Sequence, residues 1–222
     1  MEITIIGTGN MARAVGSRAV AGGHDVTLLG TEQEKAEALA GELGGSVRAG
    51  TASDPISGDV VVLAVWYPVT REVVERYGDE LEGKVVVDIS NPIDVDAFER
   101  IVPEAGSGAE ELAAAAPNAR VVKAFNTTFA GTLAGGGNVA GQPLDVFVAS
   151  DDEDAKRTVS SLVEDAGLRA VDAGPLRRAR ELEALGYLHM VVQEPLGTGF
   201  ASALKITPNS ACVEVRLLRV LH

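Results

Sequence analysis

The chain has 222 residues, 46% of them hydrophobic, and a formal net charge of −13 from 32 acidic and 19 basic residues. This length suffices for one domain with a substantial core. The acidity fits either plain solubility or adaptation to high salt, and it argues against a nucleic-acid partner, whose phosphates would be repelled. One cysteine and three histidines exclude an internal disulfide and argue against metal catalysis.

Apolar strands and amphipathic helices alternate over the first 125 residues. Near-continuous Val, Ile, Leu and Ala predict strands at residues 1–7, 24–30, 58–66, 84–90 and 119–125. Helical periodicity lies between them, at residues 10–23, 31–45 and 69–81. Strands that are apolar on both faces indicate a parallel sheet covered by helices on both sides. The expected fold is therefore α/β, a doubly wound sheet of the Rossmann type.

The second half of the chain extends this pattern. Residues 94–119 are predicted to be partly helical, with an exposed Gly/Ser hinge at 106–108. Residues 144–174 again give strand, helix and strand, an extra βαβ unit that extends the sheet. One long helix, 176–194, and a loop, 195–208, then form a small C-terminal segment.

The last residues, 209–222, break the acidic trend. They are basic and contain the single cysteine, Cys212. We interpret them as a remnant of an expression vector, the alternative being a native terminal strand. No apolar run reaches the roughly 18 residues that span a bilayer, and residues 1–7 enter a strand instead of an export signal. We expect a cytoplasmic protein without a membrane partner.

A glycine-rich motif follows the first strand. Residues 7–12, G-T-G-N-M-A, fit the pattern G-x-G-x-x-A where a strand turns into a helix. Gly7 permits the tight turn, Gly9 lets a pyrophosphate approach the backbone, and Ala12 allows close packing of helix and strand. Free N–H groups at the helix start would receive the anion. The motif predicts that residues 1–174 form an NAD(P)-binding domain; a glycine turn without a ligand is the alternative.

The end of the second strand bears on the choice between NAD and NADP. The strand ends at Leu29 and Gly30, so Thr31 is expected to face the adenosine ribose. Lys35, four residues on along a helical face, could join Thr31 in holding a 2′-phosphate. The carboxylate of Glu32 would repel this phosphate. The alternative is that Glu32 is an acidic residue of the first helical turn whose side chain points into water. We expect NADP, with NAD left open.

Two further strand ends carry candidate ligands of the dinucleotide. Val65, Trp66 and Tyr67 lie at the carboxyl end of the strand predicted at residues 58–66, and Asn91 and Pro92 follow the strand predicted at 84–90. Open α/β sheets bind ligands at such carboxyl ends. The aromatic side chains either wall the dinucleotide or only pack. Asn91 either hydrogen-bonds a ribose or amide, or belongs to an Asn-Pro turn.

Three small polar residues, Asn126, Thr127 and Thr128, follow the strand at 119–125. They are expected to face a cleft and orient a planar ring without adding charge to it. His189, among apolar residues on the last helix, is interpreted as a core or interface histidine. No catalytic triad or nucleophile elbow occurs in the sequence.

Five segments together resemble a known family, the NADP oxidoreductases that depend on coenzyme F420. They are GTGNMARAV at residues 7–15, ISNP at 89–92, VVKAFNTTF at 121–129, VDAGPLRRARELE at 171–183 and LGTGFASALK at 196–205. The resemblance covers nearly all of residues 1–208. Related domains occur in metal-reductase membrane proteins of the six-transmembrane type.

The resemblance implies hydride transfer between NADP(H) and the deazaflavin F420. It implies that Thr31 and Lys35 meet the 2′-phosphate, although Glu32 stands where an arginine is common, and that the pyrophosphate is met by Thr8, Gly9, Asn10 and Met11. Such transfer needs only that two ring carbons be held together, and the cofactors supply the chemistry. No catalytic residue is therefore expected.

The resemblance also implies how the deazaflavin and a second subunit bind. Asn126 and Thr128 would lie near the stacked rings, and a loop would close the pocket through residues Gly197, Gly199, Phe200 and Ser202. A homodimer is implied as well, consistent with the apolar residues of the last helix, Leu182, Leu185, Leu188, Met190 and Val192. Burial of these against the protein's own sheet is the alternative.

Two other functions fit the same residues. One keeps the fold but reduces another acceptor, such as a flavin, a ferric complex or a small carbonyl. The other is a dinucleotide-sensing module without turnover, since such a module also needs no catalytic group. Rates with different acceptors separate these from F420 reduction.

Overall fold

The computed structural model describes residues 1–207, so Pro208 and the predicted tail 209–222 lie outside the described residues. The strands are β1 (Glu2–Ile6), β2 (Asp25–Gly30), β3 (Arg48–Thr51), β4 (Val60–Leu63), β5 (Val85–Asp88), β6 (Ile93–Asp94), β7 (Glu99–Arg100), β8 (Arg120–Lys123), β9 (Asn138–Val139), β10 (Gln142–Pro143), β11 (Asp145–Ala149) and β12 (Arg169–Gly174). The helices are α1 (Asn10–Ala21), α2 (Gln33–Leu43), α3 (Tyr67–Tyr77), α4 (Gly108–Ala115), α5 (Ala130–Ala134), α6 (Glu153–Asp165), α7 (Ala179–Val191) and α8 (Gln193–Leu196).

The main sheet has eight strands in the order β12-β11-β8-β5-β4-β1-β2-β3. On one side of the sheet β1 pairs with β2 and β2 with β3. On the other side β1 pairs with β4, β4 with β5 and β5 with β8, and all of these pairs are parallel. The order reverses between β1 and β4, where doubly wound sheets bind ligands. This confirms the expected fold. The short edge strand β3 was not predicted, because its sequence, RAGT, has no apolar run.

The extra βαβ unit joins the sheet as expected, but the sheet is not wholly parallel. Strands β11 and β12 are parallel to each other, whereas β11 pairs with β8 in antiparallel fashion, through Ala149 and Lys123. After β8 the chain forms the short helix α5, which packs on α1, and the hairpin β9–β10. It does not cross back to the start of β8, as parallel pairing requires.

Two local predictions were wrong. Residues 106–108 do not form an exposed hinge, because Ser107 is fully buried and its hydroxyl accepts a hydrogen bond from Glu110 N at the start of α4. The long C-terminal helix is broken: a 3₁₀ turn at Leu176–Arg178 precedes α7, and Val192 separates α7 from α8. The division at residue 174 into two domains stays a prediction.

Helices cover both faces of the sheet. One apolar layer lies under α1, α2 and α6 and includes Ile3, Leu28 and Val62, while the opposite layer lies under α3 and α4 and includes Val61 and Val86. Successive residues of β4 therefore enter opposite layers, which explains why its sequence, VVVL, is apolar throughout. Burial on both faces holds β4 in place, and this also positions the residues that follow its carboxyl end.

Asp152 caps α6, and its loss should lower stability in a pH-dependent way. Its carboxylate accepts from Ala155 N at 2.8 Å and from both Nε and Nη2 of Arg120. The hydrogen bond from Arg120 lowers the pKa of Asp152 to about 2. We expect Asp152→Ala to reduce the free energy of unfolding by about 1 kcal/mol at neutral pH. Because the folded pKa is depressed, this difference is lost as the pH falls from the unfolded value toward 2.

Urea denaturation at several pH values measures the effect. Asp154→Ala is the matched control, since Asp154 lies on the same turn but pairs only with exposed Arg157. Exposed pairs contribute little. If Asp154→Ala lowers the free energy of unfolding as much as Asp152→Ala does, the assignment of Asp152 as the cap is contradicted.

Candidate functional site

A cavity of about 760 Å³ lies at the carboxyl ends of β4, β5 and β8, beside the start of α1. It is called the cleft below. Eleven residues singled out from the sequence border it, namely Gly9, Asn10, Met11, Val65, Trp66, Tyr67, Asn91, Asn126, Thr128, Gly199 and Phe200. Ser90, Phe125, Phe129 and Met190 also border it, although the sequence assigned no ligand to the first three and considered Met190 only for burial or a dimer. The strand ends thus converge on one site, as the topology requires.

The glycine turn opens one end of the cleft. Gly7 has a φ of +121°, and a Cβ there would lie 2.3 Å from Ala64 O, so this position is restricted to glycine. At Gly9 a Cβ would meet nothing within 4 Å. The backbone at Gly9 therefore faces open space, which leaves room for a ligand to approach the first turn of α1.

Thr31 follows the carboxyl end of β2 and Lys35 lies in the first turn of α2, both outside the walls of the cleft. Gly30, next to Thr31, adjoins the glycine turn. A Cβ on Gly30 would lie 2.7 Å from Cγ2 of Thr8. The helical-face argument for Thr31 and Lys35 was wrong, because α2 begins at Gln33. Instead, Lys35 Nζ donates to Glu32 Oε1 at 2.7 Å, and both side chains are exposed. A phosphate here would have to compete with Glu32 for Lys35.

Two asparagines form a reciprocal pair in the cleft wall. Asn91 Nδ2 donates to Asn126 O at 2.8 Å, and Asn126 Nδ2 donates to Asn91 Oδ1 and to Leu182 O, both at 2.9 Å. A Cβ on Gly186 would lie 2.8 Å from Asn91 Oδ1. Glycine at this position of α7 therefore lets the two amides pack directly on the helix.

Two buried polar atoms, one in this pair and one next to it in sequence, have no hydrogen-bond partner within residues 1–207. They are Asn126 Oδ1 and Ser90 Oγ, on residues that are 5% and 6% exposed and border the cleft. An unpartnered buried acceptor or hydroxyl is costly. A ligand edge that presents both a donor and an acceptor, as a carboxamide does, has the chemistry that these two atoms lack. The residues present therefore fit a nicotinamide or the polar edge of a deazaflavin.

Aromatic side chains close the other side of the cleft. Phe129 stacks on His189 at 4.2 Å between ring centroids, and Phe200 meets Phe129 edge to face at 5.1 Å. His189 Nδ1 donates to Thr127 O, and its Nε2 lies 2.9 Å from Ser202 Oγ. Burial lowers the pKa of His189, which favours the neutral imidazole. The prediction of a core histidine is confirmed: His189 ties the loop after α8 to α7.

Several predicted residues do not border the cleft. Thr127 is buried and Ser202 is bound to His189, and the structure also leaves Gly197 and Pro92 outside the cavity wall. Tyr67 does border the cleft, and its hydroxyl donates to Glu111 Oε2 at 2.6 Å. Burial and this carboxylate raise the pKa of Tyr67, so its hydroxyl stays protonated.

Behind the cleft wall lies a cluster of three buried charged residues, Asp88, Lys123 and Glu183, which the sequence analysis missed. Lys123 Nζ donates to Asp88 Oδ2 and Glu183 Oε1, each at 2.8 Å, and to Ser90 O at 2.7 Å. All three side chains are at most 1% exposed. Burial lowers the pKa of Lys123, but the two carboxylates outweigh it and raise that pKa. Burial raises the pKa of Glu183.

Within the described residues, no group of three or more His, Cys, Asp or Glu side chains is placed to hold a metal ion. No helix in residues 1–207 is long and apolar enough to cross a membrane.

Comparison with known proteins gives three relevant similarities. The sequence model named NADP oxidoreductase coenzyme F420-dependent matches residues 2–92. The F420-dependent NADP reductase of Methanothermobacter thermautotrophicus is 32% identical over 203 residues, covering 83% of this chain and 86% of that protein. The structure of a candidate F420-dependent NADP reductase from Arthrobacter sp. FB24 superposes with a TM-score of 0.83 at 26% identity, over 93% of this chain and 99% of that one.

A longer relative matches as well. Metalloreductase STEAP3 of Rattus norvegicus is 30% identical over 184 residues, which cover 83% of this chain. The chain spans only 36% of the length of that protein, and the match to the F420-dependent NADP reductase of Methanocaldococcus jannaschii spans 59% of its length.

Proposed function

The chain belongs to the NADP oxidoreductase, coenzyme F420-dependent family, and we propose that it transfers a hydride between NADP(H) and the deazaflavin F420 in the cleft. The observation that carries this proposal is the pair of buried atoms without a partner in residues 1–207, Asn126 Oδ1 and Ser90 Oγ, on two residues that border a cleft beside the glycine turn. When bound, the nicotinamide and the deazaflavin supply the donor and acceptor carbons.

The protein's own part is to bind and align. The first turn of α1, at Gly9, Asn10 and Met11, offers backbone N–H groups to the pyrophosphate, and Thr8 adjoins that turn. Ser90 and Asn126 fix the plane of a ring by hydrogen bonds. Correct alignment of reacting atoms is itself a large contribution to rate.

The opposite wall shields the rings from water. Phe129, Phe200 and Met190 are apolar and border the cleft, and Thr128 and Gly199 complete the pocket proposed for the deazaflavin. His189 holds this wall through Ser202. A dry site strengthens the hydrogen bonds made inside it.

Initial rates with purified protein test the proposal. F420 reduction by NADPH and by NADH should be compared with reduction of a flavin, a ferric complex and a small carbonyl, in low and in molar salt. We expect the fastest turnover with NADPH and F420. No F420 turnover with either nicotinamide would overturn the proposal.

One alternative has a specific observation behind it. The metalloreductase relative covers 83% of this chain, which favours a ferric complex as the second candidate acceptor. Faster reduction of the ferric complex than of F420 would support that alternative. Tight binding of NADPH without any turnover would support a sensing module.

Coenzyme choice should depend on Glu32. We propose that Thr31 and Lys35 hold the 2′-phosphate of NADP, with Glu32 as the competing partner of Lys35. Glu32→Gln should lower the KM for NADPH about five-fold, the scale of one exposed ion pair, and leave the KM for NADH unchanged. Glu34→Gln, in the first turn of the same helix, is the control. A lower KM for NADH instead would mean that Glu32 does not act on the phosphate.

We further propose a homodimer formed through α7 and the hairpin β6–β7. Leu182 is buried against the protein's own sheet, whereas Leu188 of α7 and Phe98 of the hairpin are exposed at 56% and 43%. Tyr187 links the two elements by donating to Phe98 O. Light scattering should give a dimer mass for the parent and a monomer mass for Leu188→Glu. A monomeric parent contradicts the proposal. Cytoplasmic location stays a prediction.

A further inference from the structure

The cluster of Asp88, Lys123 and Glu183 is joined directly to the cleft wall. Lys123 Nζ donates to the carbonyl oxygen of Ser90, a residue that borders the cleft. Glu183 follows Leu182, whose carbonyl accepts from Asn126. The cluster thus lies immediately behind the two residues that carry the unpartnered polar atoms.

The hydrogen bonds define the charge of the cluster. Asp88 accepts from Lys123 and from Ser90 N, and Glu183 accepts from Lys123 and from Gly108 N and Ala109 N. Both oxygens of each carboxylate therefore accept hydrogen bonds, as an acceptor-only carboxylate does. Lys123 meets three acceptors, which suits an ammonium. Two carboxylates and one ammonium leave one excess negative charge.

Stability alone does not account for this arrangement. Burying three charges costs free energy, and apolar residues of similar volume at such sites are often neutral or stabilising. A single carboxylate would already neutralise Lys123. The second carboxylate adds net charge in a region of low dielectric, where a charge acts at longer range than in water.

We propose that the Asp88–Lys123–Glu183 cluster is a fixed negative charge that makes the cleft favour the oxidised nicotinamide over the reduced one. The nicotinamide ring carries a positive charge when oxidised and none when reduced, so the cluster acts on one form only. The inference rests on the proposed function, because it requires that a nicotinamide bind in the cleft. The three residues act as an electrostatic support and need not touch the ligand.

Equilibrium binding of NADP⁺ and NADPH to the full chain, without F420, tests this inference. Two variants each remove the excess charge, Glu183→Gln and Asp88→Asn. Neither leaves an unpaired ammonium, because Lys123 keeps the other carboxylate, so each should fold. We expect the ratio of the dissociation constants, NADP⁺ over NADPH, to rise roughly ten-fold in both, the effect of a unit charge about 10 Å away at an effective dielectric constant of about 20.

Asp152→Asn is the matched control. Asp152 is a carboxylate paired with Arg120 at the other end of β8, and asparagine preserves the cap. Its ratio should match that of the parent. A ratio that changes less than about two-fold in Glu183→Gln or Asp88→Asn, or equal weakening of both redox forms, overturns the inference and assigns the cluster a purely structural role. Absence of dinucleotide binding by the parent overturns the proposed function as well.

Discussion

Gly9→Val should weaken NADPH binding by about 100-fold or more, because the backbone at this position must approach the pyrophosphate, while the fold is retained. Gly9 has φ −84° and ψ −172°, extended values that valine adopts readily. Its Cβ would project into open space, so no protein atom has to move. The loss of NADPH affinity should therefore come only from the clash between the valine side chain and the ligand. Calorimetric titration with NADPH, together with thermal unfolding, measures both quantities.

One control makes the result specific. Gly41→Val places the same side chain on the exposed surface of α2, where a Cβ also meets nothing within 4 Å, and should leave NADPH affinity unchanged. Gly7→Ala is unsuitable as a probe, since its Cβ would strike Ala64 O and disturb the fold. Normal NADPH affinity in Gly9→Val would mean that the dinucleotide binds elsewhere.

Lys123→Met should lower the free energy of unfolding by about 3–5 kcal/mol, the usual effect of leaving buried charges uncompensated. Asp88 and Glu183 would then face each other without the ammonium that separates them. Burial already raises the pKa of Glu183, and loss of Lys123 raises it further. A folded pKa above the unfolded one gives stability that is lost as the pH rises, so the variant should be weaker at about pH 8 than at about pH 5.

Urea denaturation of the parent and the variant at both pH values measures this effect. Lys156→Met is the control, because Lys156 is nearly as buried, at 8% exposure, but its partners Glu153 and Asp172 are well exposed. Water solvates these two carboxylates when Lys156 is removed. The free energy of unfolding of the control should therefore fall by about 1 kcal/mol or less. Equal losses in the two variants would mean that the cluster is not strongly coupled.

Features that depend on adjacent residues could be predicted from the sequence. The glycine motif, the strand ends at Val65 and Asn91, and the burial of His189 each follow from a short run of residues. The rule that ligands bind at the carboxyl ends of parallel strands then brings distant segments to one site. The direction of a strand could not be predicted in this way, because the apolar run of β11 is the same whether the strand is parallel or antiparallel to β8.

The charged cluster was missed because its members are far apart in the chain. Glu183 belongs to the charged run RRARELE, which is typical of a solvated helix face. A usable signal was nevertheless present, since Asp88 and Lys123 each end a run of valines in strands expected to be buried on both faces. Charged residues are almost never fully buried unless paired. Two of opposite sign at neighbouring strand ends therefore indicated a buried pair.

Gly186 limits how far the protein can be stabilised. A glycine inside a helix costs roughly 0.5–1 kcal/mol relative to alanine, so an engineer would replace it first. Here the added methyl group would push against Asn91 Oδ1 and Asn126 O and force the amide pair apart. Gly186 is thus a compromise between thermostability and the shape of the cleft. Thermostabilising libraries should hold position 186 fixed and place their substitutions elsewhere.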